Sequence, residues 1–399
     1  MGELKLIHTA DWHLSEKINL QKKAKNNLDQ MLKFTFDNKI NGLLIAGDMW
    51  DRIQTFGNES GIQIAFEYLT EFSKTVDFIF IIKGNNSHDA PQSIDLLHQY
   101  KPNIYSFEGN VASGISLINN FSFENLISKN KSLTKFDIII HGISYPTKAN
   151  LINGNSIDLQ NDNFIYLFEE LAEFHGSISD QYRDIPKITL FHGNISGSRL
   201  SNGQNLIGQD IIIPSFILEK TNSDYYALGH IHLAQNISER IRYSGSLYNK
   251  DFGETEQKYF DLIEFENTTP MVKNIPFQNN RPMVIVDAEF IDGKLIYNKN
   301  IPPNAEIKFR YTVKENQREL ILPSLMKSLK DELGEDTIFE SVVLPNERQM
   351  RTSKIMDSPR LIDEVTEYCQ VTGENMTGSL KEKIQKIELE TLEEYELCA

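Results

Sequence analysis

From residue 1 to about 265, short apolar runs alternate with longer stretches of helical periodicity, the pattern of an α/β domain whose strands are buried on both faces. The strand-sized runs are Leu4 to Ile7, Leu43 to Ala46, Phe78 to Ile82, Ile138 to Ile140, Ile188 to Phe191 and Tyr225 to Leu228. Each opens into a polar loop. In order, the loops carry Asp11-Trp12-His13, Gly47-Asp48, Gly84-Asn85-Asn86-Ser87-His88-Asp89, His141-Gly142, His192-Gly193 and Gly229-His230-Ile231-His232. Folds of this class gather their active-site loops at the carboxyl ends of strands, so the pattern predicts one functional rim.

Between Asn274 and Pro282 the text turns polar and is broken by two prolines, which predicts a domain boundary. Beyond it, Met283 to Phe290 and Ile307 to Val313 read as strands, the second alternating with period 2. A helix with Leu325, Met326, Leu329 and Leu333 on one face follows, giving a small α+β unit. From about Ser353 the chain is helical. Leu361, Ile362, Val365 and Tyr368 share one face, Leu380, Ile384 and Ile387 another, and Gly373 and Gly378 lie between the two segments. The expected domains are residues 1–273, 283–350 and 353–399.

Composition narrows the function classes. Of 399 residues, 40% are hydrophobic and 24% charged, which supports a sizeable core and excludes global disorder. The longest aliphatic or aromatic runs are far shorter than the ~18 residues of a membrane helix. The start, Met1-Gly2-Glu3-Leu4, has neither the basic nor the apolar region of a secretory signal, so the expected location is the cytoplasm, with no membrane partner. Cys369 and Cys398 are the two cysteines, too few for a disulfide framework or a thiolate zinc site. Any metal is therefore left to His, Asp, Glu or Asn. Acidic residues exceed basic ones by 56 − 40 = 16, so the average surface repels phosphate backbones. A nucleic-acid substrate would need a local site, a bound metal or a basic partner.

Singly, the loops carry little information: an Asp-x-His triplet arises by chance, Gly-Asp is a common turn, and a lone histidine after a strand is usually a satisfied core residue. Five such loops in this order, each after an apolar strand, are another matter, because they supply carboxylates and imidazoles to one rim. Mixed oxygen and nitrogen donors without thiolate suit Mn²⁺, Fe²⁺ or Zn²⁺ better than Ca²⁺ or Mg²⁺. Two such ions ~3.5–4 Å apart would polarise a phosphoryl group and generate a hydroxide for in-line attack.

The order D-x-H, GD-x-x-D, GN…HD, H-G and GH-x-H resembles the calcineurin-like metallophosphoesterases, and more narrowly the SbcD-type nuclease subunits of SbcCD complexes. The narrower resemblance rests on His8 to Leu14, Tyr225 to His232, Tyr243-Ser244-Gly245-Ser246-Leu247 and Phe252-Gly253-Glu254. It covers about the first 265 residues; the remainder resembles the family in layout alone. The implied fold is α/β, a β-sandwich flanked by helices, with a small α+β capping domain and C-terminal helices. The implied activity is that of a two-metal, Mn²⁺-dependent DNA exonuclease or endonuclease. A coiled-coil ATPase of the SbcC type is the implied partner, docking on the C-terminal helices, with a homodimer inside a heterotetramer.

Carried over residue by residue, the resemblance implies that Asp11, His13 and His232 hold one metal and His192 and His230 the other, with Asp48 bridging. His88 would be the general acid or transition-state stabiliser, with Asp89 orienting its imidazole, and Asp51 a supporting residue. One departure stands out. The family's Gly-Asn-His-Asp is two residues longer here, so Asn85, Asn86 and Ser87 all remain candidates for the amide ligand, with Asn85 favoured if the strand end keeps its register.

The other candidates have plainer readings beside the functional ones. His8 reads as a packing or supporting residue within the first strand, His141 as a strand-end residue that could line the site, and His98 and His175 as ordinary helical residues. Trp12 and Trp50 read as walls of the site rather than base-stacking platforms. Lys22, Lys23 and Lys25 form the densest basic group near the loops, a phosphate contact or a solvated helix face. The run from Ile387 to Ala399, with five glutamates and no basic residue, reads as a solvated helix end. Two other functions fit the same residues: a phosphodiesterase or phosphatase for small substrates, and a nuclease-impaired scaffold that binds DNA ends and anchors the ATPase.

Overall fold

The computed structural model describes residues 4–53, 61–90, 93–106, 113–119, 122–125, 138–145, 157–201, 211–278, 280–321, 323–345, 360–373 and 375–397. By its internal contacts the chain divides into two units, one of Met1–Val286, Lys299–Lys308 and Asp336–Ile338, the other of Asp287–Asn298, Phe309–Glu335 and Phe339–Ala399.

The first unit opens with β1 (Leu4–Thr9), α1 (Ile18–Asn38), β2 (Gly42–Ala46), α2 (Gly61–Thr75), β3 (Phe78–Ile82), α3 (Ser93–Tyr100) and β4 (Ile104–Tyr105). There follow β5 (Ser113–Asn119), β6 (Ser122–Asn125), β7 (Ile138–Ile143), α4 (Ile157–Ser179), β8 (Lys187–His192), β9 (Asn194–Ile195), β10 (Ile212–Ile213) and α5 (Ser215–Leu218). The unit's last strands are β11 (Tyr225–Gly229), β12 (Gln235–Asn236), β13 (Ile241–Tyr243), β14 (Tyr259–Glu266) and β15 (Thr269–Pro276). One sheet runs β15-β14-β1-β2-β3-β4 and a second runs β12-β13-β11-β8-β7-β5-β6. β1 to β4 are mutually parallel, as are β7, β8, β11 and β13.

Because β2, β3, β7, β8 and β11 are buried at every position, they feed cores on both faces of their sheets. Leu44 of β2 and Phe80 of β3 meet Ile140 of β7, Leu190 of β8 and Ala227 of β11 between the sheets, which makes a sandwich. On the outer face of the first sheet, Leu43, Ile45, Ile79 and Ile81 pack with Leu28 and Met31 of α1 and Leu69 and Phe72 of α2. Against the second sheet, Phe191, Tyr226 and Leu228 pack with Phe168 of α4 and Ile217 of α5. The result is a helix, sheet, sheet, helix layering, the expected calcineurin-like sandwich.

Two local expectations are corrected. β7 continues through His141 and Gly142 to Ile143, so His141 lies within a strand rather than in the loop after it. Asn274, Ile275 and Pro276 belong to β15, paired with β14, rather than to a linker. β15 is an edge strand, where proline's missing N–H breaks no ladder.

In the second part of the chain, β16 (Met283–Ile291), β17 (Lys294–Tyr297), β18 (Glu306–Lys314) and β19 (Ile338–Leu344) form a sheet in the order β17-β16-β18-β19, with α6 (Pro323–Leu333) between β18 and β19. The alternation read in β18 holds: Ile307, Phe309 and Val313 are buried. The ring of Phe309 meets those of Tyr297 and Phe339. The C-terminal helices are α7 (Leu361–Thr372) and α8 (Gly378–Leu397). They bury Ile362, Cys369 and Ile384, and the Glu388 carboxylate accepts the Ile362 N–H at 3.0 Å. Leu361, Tyr368, Leu380 and Ile387 stay exposed.

Candidate metal centre

The loops that follow β1, β2 and β3 in one sheet and β8 and β11 in the other meet at one edge of the sandwich. The β1 and β2 loops continue their pairing past the strands: the Asp11, His13 and Leu14 N–H groups donate to the carbonyls of Gly47, Asp48 and Met49. Asp11, His13, Asp48 and His230 all take positive φ, at 51°, 43°, 51° and 95°, a conformation that costs free energy and concentrates at functional sites. Close approach explains two glycines. A Cβ on Gly84 would collide with the Asp48 carboxylate and main chain, and one on Gly47, itself at φ 86°, with the His192 ring.

Three groups of side chains converge there: Asp11 with His13 and His232; His13 with Asp48 and His88; and Asp48 with His192 and His230. Within each group the potential ligand atoms all lie within 4.8 Å of one another. Asp48 turns its two oxygens to different sides. Oδ1 lies 3.3 Å from His192 Nε2, while Oδ2 lies 4.0 Å from His13 Nε2 and 3.9 Å from His88 Nε2. One carboxylate so placed can bridge two cations.

Hydrogen bonds set which imidazole nitrogen faces inward. His192 Nδ1 meets the Ala46 carbonyl at 2.6 Å, His88 Nδ1 the Asp51 carbonyl at 2.6 Å, and His232 Nδ1 the Glu254 carboxylate at 2.5 Å. Since those oxygens only accept, each Nδ1 carries a proton, which leaves Nε2 as the nitrogen that can offer a lone pair to a cation. His232 Nε2 stands 2.9 Å from His13 Nε2. His192 Nε2, His13 Nδ1 and Asn85 Oδ1 are buried without a hydrogen-bond partner. Clustered imidazoles and carboxylates, on residues of which several keep a buried polar atom without a partner, fit divalent cations.

The electrostatics agree. Burial holds His13 well below the usual imidazole range, and burial together with nearby His192 brings His230 down to about 3, so both are neutral donors at neutral pH. Burial opposes the Asp48 charge, yet the imidazoles of His192, His13 and His88 keep its carboxyl well below the carboxylate range. Burial likewise opposes charge on His192, but Asp48 and Asp11 raise its proton affinity above the usual value. The His192–Asp48 contact therefore attracts positive charge.

All nine singled-out positions, Asp11, His13, Asp48, Asn85, His88, Asp89, His192, His230 and His232, lie in these loops or, for His192, at the end of β8, but not all make the expected contacts. Asp89 does not orient His88. Its carboxylate accepts the N–H groups of Met49 at 3.0 Å, Trp50 at 3.4 Å and Gly84 at 2.8 Å, tying the β2 and β3 loops together. An adjacent residue points elsewhere in this turn, and the Asp51 main chain orients His88 instead. In the lengthened loop, Asn85 donates its N–H to Asp48 Oδ1 at 2.6 Å and buries its side-chain oxygen. Asn86 is exposed and held by Lys83, and Ser87 is exposed.

Other candidates fall outside the site. His8 is buried between Tyr225 OH at 3.0 Å and the Leu228 carbonyl at 3.2 Å. His141 meets Ser179 Oγ at 2.8 Å and the His175 ring. Trp12 and Trp50 are buried walls. Lys23 pairs with Glu306 at 2.7 Å and Lys25 with Glu67 at 3.2 Å, leaving Lys22 exposed. The side chain of His98 lies outside the described residues.

Two residues gained roles that the sequence reading did not assign. Glu254 holds His232; its signal was its place in the Phe252-Gly253-Glu254 stretch. Tyr145 sets its ring 5.2 Å from that of His230 and 5.9 Å from that of His192; nothing in the sequence marked it.

The profile of the calcineurin-like phosphoesterases matches residues 4–234, which contain every one of these loops. The chain belongs to this family. As a calcineurin-like phosphoesterase it is a metal-dependent phosphodiesterase, and divalent ions at these side chains would activate water and stabilise charge on a phosphoryl group. Among curated proteins it is similar to the SbcD subunit of the nuclease SbcCD of Staphylococcus saprophyticus, 24% identical over 98% of this chain and 99% of that one. It is also similar to the Staphylococcus epidermidis protein of the same name, 25% identical over 72% of this chain and 74% of that one. Among solved structures, a Plasmodium protein titled "GAP50 the anchor in the inner membrane complex" aligns at a TM-score of 0.41 and 11% identity, over 70% of this chain and 86% of the other. No helix among the described residues is long and apolar enough to cross a membrane.

Proposed function

We propose that this chain is the nuclease subunit of an SbcCD-type complex, a two-metal DNA exonuclease and endonuclease that uses Mn²⁺. The observation that carries the reading is the near full-length similarity to the SbcD subunit of the nuclease SbcCD, joined to a site with competent donors in every cluster. In this reading Asp11, His13 and His232 hold one ion, and Asn85, His192 and His230 the other, with Asp48 shared. Asn85 is favoured over Asn86 and Ser87 by its buried, unpartnered oxygen.

His88 is the residue assigned to proton transfer or charge stabilisation. Its Nδ1–H is committed to the Asp51 carbonyl, so Nε2 faces the site at a partly exposed position, 20% accessible, where a leaving oxygen can reach it. Asp89 acts at one remove, by fixing the loop that carries His88.

The proposed domains remain residues 1–273 for the nuclease, 283–350 for the cap and 353–399 for the partner-binding helices. The exposed Leu361, Tyr368, Leu380 and Ile387 suit docking of a coiled-coil ATPase. With acidic residues in excess by 16, such a partner would supply DNA contacts that this surface lacks. A cytoplasmic location and a homodimer complete the proposal.

The test is cleavage of linear double- and single-stranded DNA by the purified chain, with and without the ATPase, in Mn²⁺, Mg²⁺ or chelator. His88→Ala and a generic phosphodiester run beside it. Metal-dependent DNA cleavage, reduced ~10²–10⁴-fold in the variant with metal content unchanged, is expected. Hydrolysis of the generic ester alone would favour a small-substrate phosphodiesterase. Inactivity on both, even with the partner, would favour a DNA-end-binding scaffold.

A further inference from the structure

One buried cation grips His232 at both ends. Lys258 is fully buried, and its Nζ lies 3.1 Å from the His232 carbonyl, 2.7 Å from Glu254 Oε2 and 2.6 Å from Glu256 Oε1. Glu254 Oε1 in turn receives the His232 Nδ1–H at 2.5 Å. The three donors of the ammonium are thus spent on the main chain of His232, on the carboxylate that aims its ring, and on a second carboxylate.

The surrounding loop admits little freedom. Asn249 Nδ2 donates to the Glu254 and Glu256 carbonyls at 2.7 and 3.0 Å, and Ser201 Oγ donates to Glu256 Oε1 at 2.9 Å. Ser246 Oγ and the Lys250 N–H reach Glu254 Oε2 at 3.4 and 3.3 Å. A lysine is rarely buried so completely, and hydrophobic packing would satisfy the core at lower desolvation cost. Its presence behind one particular imidazole calls for a role at that imidazole.

The other cluster is built differently. His192 gives its Nδ1–H to the Ala46 carbonyl, a neutral acceptor, and His230 rests on the Tyr145 ring. A carboxylate on one imidazole nitrogen makes the other more basic than a carbonyl does, and fixes the ring more firmly.

We propose that Glu254 and Lys258 are positioning residues that make the Asp11–His13–His232 position a tighter metal position, tuned separately from that of Asp48, His192 and His230. The inference rests on the metal reading of the site and not on the identity of the substrate.

The experiment titrates Mn²⁺ into the metal-free full-length chain by calorimetry, for the wild type, Glu254→Gln, Lys258→Met and Lys258→Arg. Thermal unfolding of each metal-free form and ¹⁵N NMR of labelled histidines accompany it. Two unequal sites are expected in the wild type. Glu254→Gln weakens the tighter one ~10–100-fold, the usual effect of losing a partner behind a metal-bound imidazole, and leaves the weaker one unchanged. One imidazole loses its Nδ1-protonated signature. Lys258→Met reproduces the selective loss and Lys258→Arg restores most of it. Variant isotherms that match the wild type, or sites that weaken together as the metal-free form loses stability, would overturn the proposal. A wild type that binds no Mn²⁺ would overturn the metal reading and the proposal with it, and that failure shows in the wild type alone.

Discussion

His141-Gly142 and His192-Gly193 are the same dipeptide after the same kind of apolar run, on neighbouring parallel strands, and they do opposite things. In β8, His192 keeps step with Ile188 and Leu190, which face the space between the sheets, and as the last strand residue it emerges at the rim beside Asp48. In β7, His141 is out of step with Ile138 and Ile140 and so points to the helix side, where Ser179 and His175 of α4 meet it. Its register partner in β8 is Thr189, three residues before His192, so it also lies too deep in the sheet to reach the rim. Strand phase and depth, rather than the residue type, decide which histidine reaches the rim beside Asp48.

The largest expected contrast comes from truncating the two histidines. His192→Ala removes a donor from the Asp48 cluster, and phosphodiester hydrolysis should fall ~10³-fold or more, the scale of several kcal/mol of lost charge stabilisation. His141→Ala should keep activity within ~2-fold while losing ~2–4 kcal/mol of stability to a buried cavity and the lost hydrogen bond to Ser179, whose Oγ still donates to the Thr221 carbonyl. Rates on a generic ester and urea unfolding of the same preparations measure both. An activity loss in His141→Ala equal to that in His192→Ala would erase the distinction.

A smaller effect sharpens the same rim. Asn85→Ala should weaken one Mn²⁺ site at least ~10-fold in a binding titration, whereas Asn86→Ala and Ser87→Ala stay within ~2-fold. Weakening in Ser87→Ala instead would mean that the loop keeps register from its His-Asp end.

The smallest effect is a pH dependence on the helix side. Burial pushes His175 down to about 4, and burial together with His175 holds His141 well below the imidazole range. Below pH ~6.5 the unfolded chain binds protons that the native histidines refuse. Native stability is therefore full above pH 6.5 and declines as pH falls towards 4, with His175 alone costing about 2 kcal/mol by pH 5. In His175→Leu the urea midpoint should fall less between pH 7.5 and pH 5 than in the wild type; an unchanged slope would show that His175 is not buried neutral.

Much of this was legible in the chain. β2, β3 and β18 announced themselves within a residue or so, because continuous apolar runs and strict alternation each have one economical structure. The loops of the rim were legible because their carboxylates and imidazoles follow apolar strand-sized runs, and the structure brings them together. What escaped was whatever depends on a neighbour distant in sequence. Asn274 to Pro276 looked like a linker until an edge strand paired them, and Asp89 looked like the His88 partner until the turn aimed it at main-chain N–H groups.

By its own pattern the sequence determined the α/β class and the polar loops that meet at the rim, since hydrophobic periodicity and the residue types that end a strand are local properties. The tertiary structure alone decided which face each strand shows. In Ile138-Ile139-Ile140 both faces are buried, so no alternation reveals the phase that sends His141 to α4. It likewise decided that Glu254 and Lys258 stand behind His232, because a loop 22 residues downstream of that histidine reaches it only once both sheets have closed.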